Sequence, residues 1–176
     1  MHIDPAVSWV MALGIAVLFA TAVGHKLSDW QRFQATVANY RLLPDALVAL
    51  AAAVVTALEC GAVLFILQIE TRSVGALLSA GLLGLYALAM AVNLVRGRVI
   101  LDCGCLGITQ RQPVRWWMVG RNLAMAALSL IAGLPVGMRA LTALDAVTII
   151  GAALSLALLY ATLNQLGTVA PRLMSR

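Results

Sequence analysis

The sequence predicts an all-α bundle of membrane-spanning helices, and three observations support this prediction. Hydrophobic residues make up 62% of the 176-residue chain and charged residues only 11%, whereas soluble domains have about 45–50% and about 25%. The apolar residues form five long runs, and most basic residues lie between them. A chain this apolar cannot cover a surface that faces water, so membrane lipid is its expected environment.

Each apolar run is long enough, or nearly so, to cross the hydrocarbon core, which takes about 20 helical residues. Helices satisfy their own backbone hydrogen bonds in lipid, so we predict a helix for each run. The predicted spans are residues 7–23, 46–69, 74–95, 116–136 and 146–166. Four of them should form the core and one is additional, so residues 1–176 are predicted to be a single domain. The first five residues contain no Lys or Arg, so the first span is expected to be retained and not cleaved as a signal.

The connections between the spans differ in length and character. Residues 70–73 are short enough for a tight turn, so the second and third spans should be an antiparallel pair. Between Lys26 and Asp45, apolar side chains recur at spacings of three and four, which predicts a short interfacial helix closed by Pro44. The apolar positions are Trp30, Phe33, Val37 and Tyr40.

Small residues indicate where helices can approach one another closely. In the second span a small residue recurs at every fourth position, and we predict that this stripe is a packed face. It consists of Ala49, Ala53, Ala57 and Gly61. Gly75 and Ser79 predict a similar close contact for the third span.

Lys and Arg are distributed unevenly between the two sides of the predicted bundle. One side has only Arg72 and Arg139, and the other has nine basic residues. The nine are Lys26, Arg32, Arg41, Arg96, Arg98, Arg111, Arg115, Arg172 and Arg176. Because basic residues are in excess in cytoplasmic loops, the N-terminus is predicted outside and the C-terminus inside a bacterial inner membrane. The net charge of +5 thus indicates contact with anionic lipid, and no nucleic-acid partner is predicted.

The sharpest motif is Cys103-Gly104-Cys105, in the loop between the third and fourth spans. The intervening glycine has no Cβ to resist bringing the two sulfurs together. A disulfide across so short a span closes a strained ring, and strain makes a disulfide easier to reduce. The pair is therefore suited to cycling between dithiol and disulfide.

Other interpretations of this motif remain open. Two close thiolates also suit Cu(I) or Zn, but a closed zinc site needs about four ligands, and the chain otherwise offers only Cys60, His2 and His25. A third interpretation is a structural partner subunit with dispensable cysteines. Asp102 either accepts a proton from a thiol that becomes the reactive thiolate or caps the turn through backbone N–H groups.

Glu59 lies near the centre of the second span, where a carboxylate is costly unless it faces a partner or a polar cavity. Thr56 can donate a hydrogen bond to it, and Lys26 or His25 can reach inward from the end of the first span. One interpretation is a Glu59–Lys26 ion pair that holds the helices together, and the other is a proton-relay or redox role. Cys60 is either an inert small hydrophobe or a third redox thiol.

Three polar residues flank the cysteine loop in sequence, near the end of the third span and the start of the fourth. They either hydrogen-bond the loop backbone or solvate the helix ends. They are Asn93, Arg121 and Asn122.

Residues from about 10 to 130 together resemble the MauE branch of the MauE/DoxX-like redox-associated membrane proteins. The matching elements are Gly24–Asp29, Phe33, Tyr40–Pro44, Glu59 with Gly61, and Asp102–Gly107. The resemblance implies an accessory factor of methylamine utilisation. Such factors help to mature the disulfide-rich small subunit of methylamine dehydrogenase, together with a thioredoxin-like periplasmic partner. It also implies that Cys103 and Cys105 are the redox pair, with Lys26 and Glu59 as structural or proton-handling positions.

The expected function is therefore thiol–disulfide exchange in a membrane with a thioredoxin-like partner. If the protein is an enzyme, the expected class is thiol–disulfide oxidoreductase. The alternative is a soft-metal carrier or chaperone that uses the same cysteines. No bound cofactor is predicted apart from the redox-active disulfide. Coupling to a quinone stays open, and a lipid-facing pocket near the cysteine loop would favour it.

Overall fold

The chain is all-α in a computed structural model that describes residues 3–98, 114–137 and 139–174, and only the backbone of residues 165–174. Within these ranges there are six helices and a single isolated β-bridge, between Ile3 and Val136. The helices are α1 (Pro5–Ser28), α2 (Trp30–Asn39), α3 (Asp45–Leu67), α4 (Arg72–Val95), α5 (Trp116–Ala132) and α6 (Ala143–Met174). This confirms the predicted fold class.

The long helices run antiparallel between two ends of the bundle. At the first end, which we call the Arg72 end, α1 and α4 begin and α3 and α5 finish. The Ser8 hydroxyl donates to the Ala132 carbonyl (3.1 Å), and the Arg72 guanidinium donates to the Ser8 hydroxyl (3.0 Å) and to the Ile66 carbonyl (3.2 Å). At the opposite end, the Trp116 end, α4 finishes and α5 begins.

Helices α1, α3, α4 and the Ala143–Asn164 part of α6 are long and apolar enough to cross a membrane. Helix α5 has 17 residues, which is about 25 Å against a hydrocarbon core of about 30 Å. It nevertheless follows α4 along its length. Met118 packs with Met90 near the end of α4, and the Ser129 hydroxyl donates to the Ala76 carbonyl (3.0 Å) near its start.

Helix α1 is longer than the hydropathy pattern predicts, because it continues through charged Lys26. Helix α1 extends from Pro5 to Ser28, whereas the predicted span ends at Val23. Its start is set by Asp4, whose carboxylate accepts from the Ala6 N–H (2.8 Å), as N-cap residues do. Its last turn can include Lys26 because the ammonium group is buried against a partner.

The predicted amphipathic helix exists as α2, with Phe33 and Thr36 on its buried side. The prediction that Pro44 closes it was wrong, because α2 ends at Asn39. Arg41 then takes a positive φ of 46°, which ends the helical path. Pro44 instead precedes the first residue of α3 and is its N-cap.

The predicted packed face of α3 was also wrong. Ala49, Ala53 and Ala57 are exposed on the outside of the bundle, and only Gly61, the last member of the stripe, is half-buried, near Leu78 of α4. The buried side consists of Val48, Ala52, Thr56, Glu59, Ala62 and Ile66. A helix turns by about 100° per residue, so Ala57, two residues before Glu59, faces away from it. The inward-facing carboxylate therefore fixes the rotation of α3.

The close contact predicted at Gly75 and Ser79 is confirmed, since both are buried. A Cβ at Gly75 would lie 2.3 Å from the Ile66 nitrogen, which no side chain can tolerate. Gly75 therefore lets the start of α4 pack directly on the backbone at the end of α3, as the predicted antiparallel pair requires.

Candidate functional site

A lysine–glutamate ion pair is buried inside the bundle, between the last turn of α1 and the middle of α3. Lys26 Nζ lies 2.5 Å from Glu59 Oε1, and the two side chains are 2% and 0% exposed. Each charge would be expensive alone in this environment, and pairing them offsets much of that cost. The structure thus brings together two of the predicted site residues that are 33 positions apart.

Aromatic residues complete the surroundings of this pair. The Tyr86 hydroxyl of α4 donates to Glu59 Oε1 (2.5 Å) and accepts from Lys26 Nζ (3.1 Å). The ammonium also lies 4.7 Å from the centre of the Phe33 ring and 5.1 Å from that of Tyr86, within the range of cation–π attraction. The site therefore joins four helices, with α2 folded back to supply Phe33.

Glu59 uses only one of its two oxygens in these contacts. Its Oε2 is buried and has no hydrogen-bond partner among the residues that the structure describes. An ionised carboxylate can accept several hydrogen bonds, so this oxygen is available to accept a proton or a donor group. The pair is thus both a tie between helices and a candidate proton acceptor.

The other partners proposed for Glu59 lie elsewhere. The Thr56 hydroxyl donates to the Ala52 carbonyl (2.9 Å), in the preceding turn of its own helix, so the prediction that it donates to Glu59 was wrong. Back-bonding of this kind is common for threonine within helices. His25 is exposed, one position from Lys26 and on a different side of α1.

Beside the ion pair there is a small cleft with a cavity volume of about 40 Å³. Its walls are mostly apolar, and it lies between helices of the bundle. Its lining residues are Leu18, Phe19, Thr21, Ala22, Glu59, Leu83, Tyr86, Arg121, Asn122 and Tyr160. The ion pair therefore borders a small, mostly apolar space that is large enough for water.

Arg121 brings a positive charge to the other side of this cleft. Its guanidinium hydrogen-bonds the Asn164 side-chain oxygen and lies 5.3 Å from the ring centres of both Trp117 and Tyr160. Its Nε is buried without a partner among the described residues. Arg121 thus links α5 to α6 and lines the cleft, a role that sequence reasoning did not assign to it.

Two of the remaining candidates lie apart from the ion pair. Cys60 is a free thiol on the exposed side of α3, because it follows the inward-facing Glu59 by one position. Asn93 is fully buried, and its amide donates to the Ala89 carbonyl (3.0 Å). Whether Asn93 or Asn122 contacts the cysteine loop stays a prediction.

Asp102, Cys103 and Cys105 lie outside the described residues, so their predicted roles stay predictions. The described residues on either side of them lie at the Trp116 end, where α4 finishes and α5 begins. Val114, the first described residue after them, is 1% exposed and packs with Ala87 and Met118. In the described ranges, no three Asp, Glu, His or Cys side chains come close enough to hold a metal ion.

Tyr86 is the participant that sequence reasoning missed. A hydroxyl in the middle of an apolar span is a signal for an internal polar contact, and Tyr86 carries the only phenol within α4. Which helix it would face cannot be predicted from one sequence. The contact depends on the packing of α4 against α3.

Apolar helices arranged around a buried lysine–glutamate pair define a polytopic helical membrane protein. Residues 4–135 match the family model described as methylamine utilisation protein MauE, so the chain belongs to the MauE family. The chain is 34% identical over 167 residues to methylamine utilization protein MauE of Paracoccus denitrificans, covering 94% of this chain and 89% of the relative. It is 36% identical over 163 residues to the protein of the same name from Methylophilus methylotrophus, covering 89% and 84%. No solved structure matches the chain.

Proposed function

We propose that this protein carries out thiol–disulfide exchange in the bacterial inner membrane as part of methylamine utilisation, with Cys103 and Cys105 as its redox pair. The observation that carries the proposal is the Cys-Gly-Cys motif, which lies inside the family-matched residues 4–135. The names of the relatives supply the metabolic context. A thioredoxin-like protein is the proposed partner.

The exchange reaction transfers two electrons through a mixed disulfide. In one direction, a thiolate of the pair attacks the disulfide of the partner, the S–S bond of the partner breaks, and a mixed S–S bond forms. The second cysteine then attacks that bond, which leaves a Cys103–Cys105 disulfide and a reduced partner. Two thiol protons are released from the pair and two are taken up by the partner. The reverse sequence is the same chemistry with the electrons moving the other way.

The buried ion pair has a supporting role in this proposal. Lys26 and Glu59 hold the last turn of α1, at the Trp116 end, against the middle of α3. Asp102, directly before the first cysteine, either accepts a thiol proton or caps the turn.

The proposed orientation places the Trp116 end at the cytoplasm, and a periplasmic partner then requires that the loop be reachable from both faces.

The test is to trap the redox state of the pair in native membranes. Thiols are alkylated with a mass tag, with and without prior reduction, in wild type, Cys103→Ser and Cys105→Ser. A reversible disulfide fraction, together with a mixed disulfide to a thioredoxin-like protein in one single variant, is the expected result. Cys60→Ser is the matched control and should behave like wild type, since Cys60 is exposed on α3, away from the ion pair. Permanently reduced thiols with copper or zinc bound would overturn the proposal in favour of a metal carrier.

A further inference from the structure

Tyr86 lies where the buried ion pair meets two hydrophobic clusters of the bundle. The first, which we call the central cluster, is formed by α1, α3 and α4 and includes Phe19, Ile66 and Leu82. The second, which we call the cap cluster, lies at the Trp116 end and consists of Ala87, Met90, Val114, Met118 and Val119. The Tyr86 side chain packs against both clusters.

The hydroxyl end of Tyr86 is held by two charged groups. It donates to Glu59 Oε1 (2.5 Å) and accepts from Lys26 Nζ (3.1 Å). Hydrogen bonds to charged groups are shorter and stronger than those between neutral groups, and both charged side chains are buried here. The Tyr86 ring is therefore fixed at its hydroxyl end while its body packs in the clusters.

The cap cluster joins the described residues that precede and follow positions 99–113. On the preceding side, Met90 belongs to the cluster, and Leu94, one turn further along α4, packs against it. The Arg98 N–H then donates to the Asn93 carbonyl (2.9 Å), which ties the last described residues to the end of α4. On the following side, Val114 is fully buried in the same cluster. Both flanks of the cysteine motif thus belong to one packed unit.

We propose that Tyr86 is a positioning residue for the Cys103–Cys105 pair. Its hydroxyl is tied to the ion pair, its ring supports the cap cluster, and the cap cluster holds both flanks of the cysteine motif. The inference rests on the proposed thiol–disulfide function, because the rate of exchange depends on which sulfur is attacked and on access to it. The ion pair then does more than join α1 to α3, since it also fixes a side chain of α4.

Replacement of Tyr86 by phenylalanine separates this role from simple space filling. Tyr86→Phe keeps the ring that packs in both clusters and removes only the hydroxyl that Glu59 and Lys26 hold. Any loosening of the cap cluster in this variant therefore comes from loss of the tether to the ion pair.

The experiment uses the purified full-length protein in detergent and makes two measurements on each variant. Hydrogen–deuterium exchange at residues 114–119, followed by mass spectrometry, reports on the start of α5, where the Met118 N–H donates to the Arg115 carbonyl (2.9 Å). The rate of alkylation of the reduced cysteines by N-ethylmaleimide reports on access to the thiols. Met90→Ala opens the cap cluster directly and is the positive control. Leu78→Ala is the matched negative control, because Leu78 lies on the same helix and packs against the central cluster.

Tyr86→Phe should raise hydrogen exchange at residues 114–119 about fivefold or more and the alkylation rate about threefold or more. Met90→Ala should do the same, and Leu78→Ala should leave both at the wild-type value. Wild-type hydrogen exchange in Tyr86→Phe overturns the proposal, and so does faster exchange with an unchanged alkylation rate. Equal rises in Leu78→Ala also overturn it, since they would reflect general destabilisation.

The trapping experiment decides the thiol function separately. If it finds no reversible disulfide while both rates rise in Tyr86→Phe, the coupling of Tyr86 to the cysteines is kept and only the exchange function is overturned. If it finds the disulfide and the mixed disulfide while Tyr86→Phe behaves like wild type, the exchange function is kept and the positioning role is overturned.

Discussion

At the scale of single residues, the most consequential feature is a charged pair placed where charges are rare. Lys26 Nζ and Glu59 Oε1 are 2.5 Å apart, and both side chains are buried. A lone carboxylate or ammonium at this depth would be strongly unfavourable, so each residue accounts for the position of the other. The pair also leaves Glu59 Oε2 without a partner among the described residues, which a purely structural tie does not require.

Replacing one member of the ion pair should destabilise the protein more than replacing both. We expect Lys26→Met or Glu59→Gln alone to lower the free energy of unfolding, the former by about 3–5 kcal/mol because it leaves a buried charge uncompensated. The double variant should recover a large part of this loss. Unfolding by SDS titration in mixed micelles, analysed as a double-mutant cycle, measures the coupling.

The same double variant separates the two roles of the pair. If Lys26 and Glu59 only hold the helices, the refolded double variant should keep the proposed disulfide exchange between Cys103–Cys105 and a thioredoxin-like partner at the wild-type rate. Slow exchange in a stably folded double variant would indicate a proton-handling role. If the two single substitutions lower the free energy of unfolding additively, Lys26 and Glu59 do not interact, and the ion pair is contradicted.

A second residue-scale prediction concerns Asp4, at the start of α1. Its pKa lies below the usual value because the carboxylate accepts from the Ala6 N–H and from Arg139. A lowered folded-state pKa contributes stability that is present above the unfolded value, near 3.9, and is lost as the pH falls through the folded-state pKa. Asp4→Asn keeps an N-cap but removes the charge. Its thermal midpoint in detergent should be below that of wild type at pH 6, and the difference should shrink as the pH falls below about 4. A difference of the same size at pH 6 and at the lowest pH at which both proteins stay folded would indicate a structural effect of the substitution and not one of charge.

At the scale of helices, the contacts at the Arg72 end show how small and polar residues replace a hydrophobic driving force. Arg72 is 3% exposed, donates to α1 and to the end of α3, and lies 4.1 Å from the centre of the Trp9 ring. Gly75 lets the backbones of α3 and α4 touch. Hydrogen bonds and close packing of this kind are what associate helices in lipid, where apolar burial offers little.

Gly75→Ala should destabilise the α3–α4 contact. The added Cβ would lie 2.3 Å from the Ile66 nitrogen and 2.6 Å from the Phe65 carbonyl carbon, and backbone atoms cannot move aside as a side chain can. We expect a loss of about 3 kcal/mol in the SDS titration. Gly81→Ala on the same helix has nothing within 4 Å of its new Cβ and should be neutral or slightly stabilising. Equal losses of stability for Gly75→Ala and Gly81→Ala would contradict this explanation of the α3–α4 contact.

At the scale of the whole molecule, the bundle separates the basic residues by end. Arg72 donates to Ser8 near the start of α1, and Arg139 pairs with Asp4, 3.2 Å away. Both therefore belong to the Arg72 end, as the sequence predicted, while Arg96, Arg98 and Arg115 lie beside the opposite ends of α4 and α5. The pKa of Arg139 is raised by its hydrogen bonds to Asp145 and Asp4, so this end is partly neutralised by its own carboxylates.

This asymmetry leads to a topology prediction. In a cysteine-free background, Glu70→Cys at the Arg72 end should react with an impermeant maleimide in intact spheroplasts. Asn39→Cys, on α2, should react only after permeabilisation, because we propose that the end rich in Lys and Arg faces the cytoplasm. Both positions are exposed, so access to the reagent is set by the membrane. Labelling in the reverse order would place the cysteine loop outside and remove the need for access from both faces.

The sequence by itself determined the helical fold class, the positions of the apolar helices, and the candidate pairing of Lys26 with Glu59. These follow from composition, from run length, and from the cost of an unpaired charge in hydrocarbon, all of which are local properties. The rotation of α3 about its axis could not be predicted from these local properties. A stripe of alanines and the side that carries Glu59 are both plausible packed faces, and only contact with α1 and α4 decides between them.

Only the tertiary structure also decided which groups meet beside the ion pair. Tyr86, Arg121 and Tyr160 come from three different helices, and none has a spacing that predicts the others. Their meeting depends on how α4, α5 and α6 cross, which is set by packing over the whole length of each helix. Hydropathy therefore reveals that helices exist in this protein, whereas the cleft arises only when their side chains are brought together.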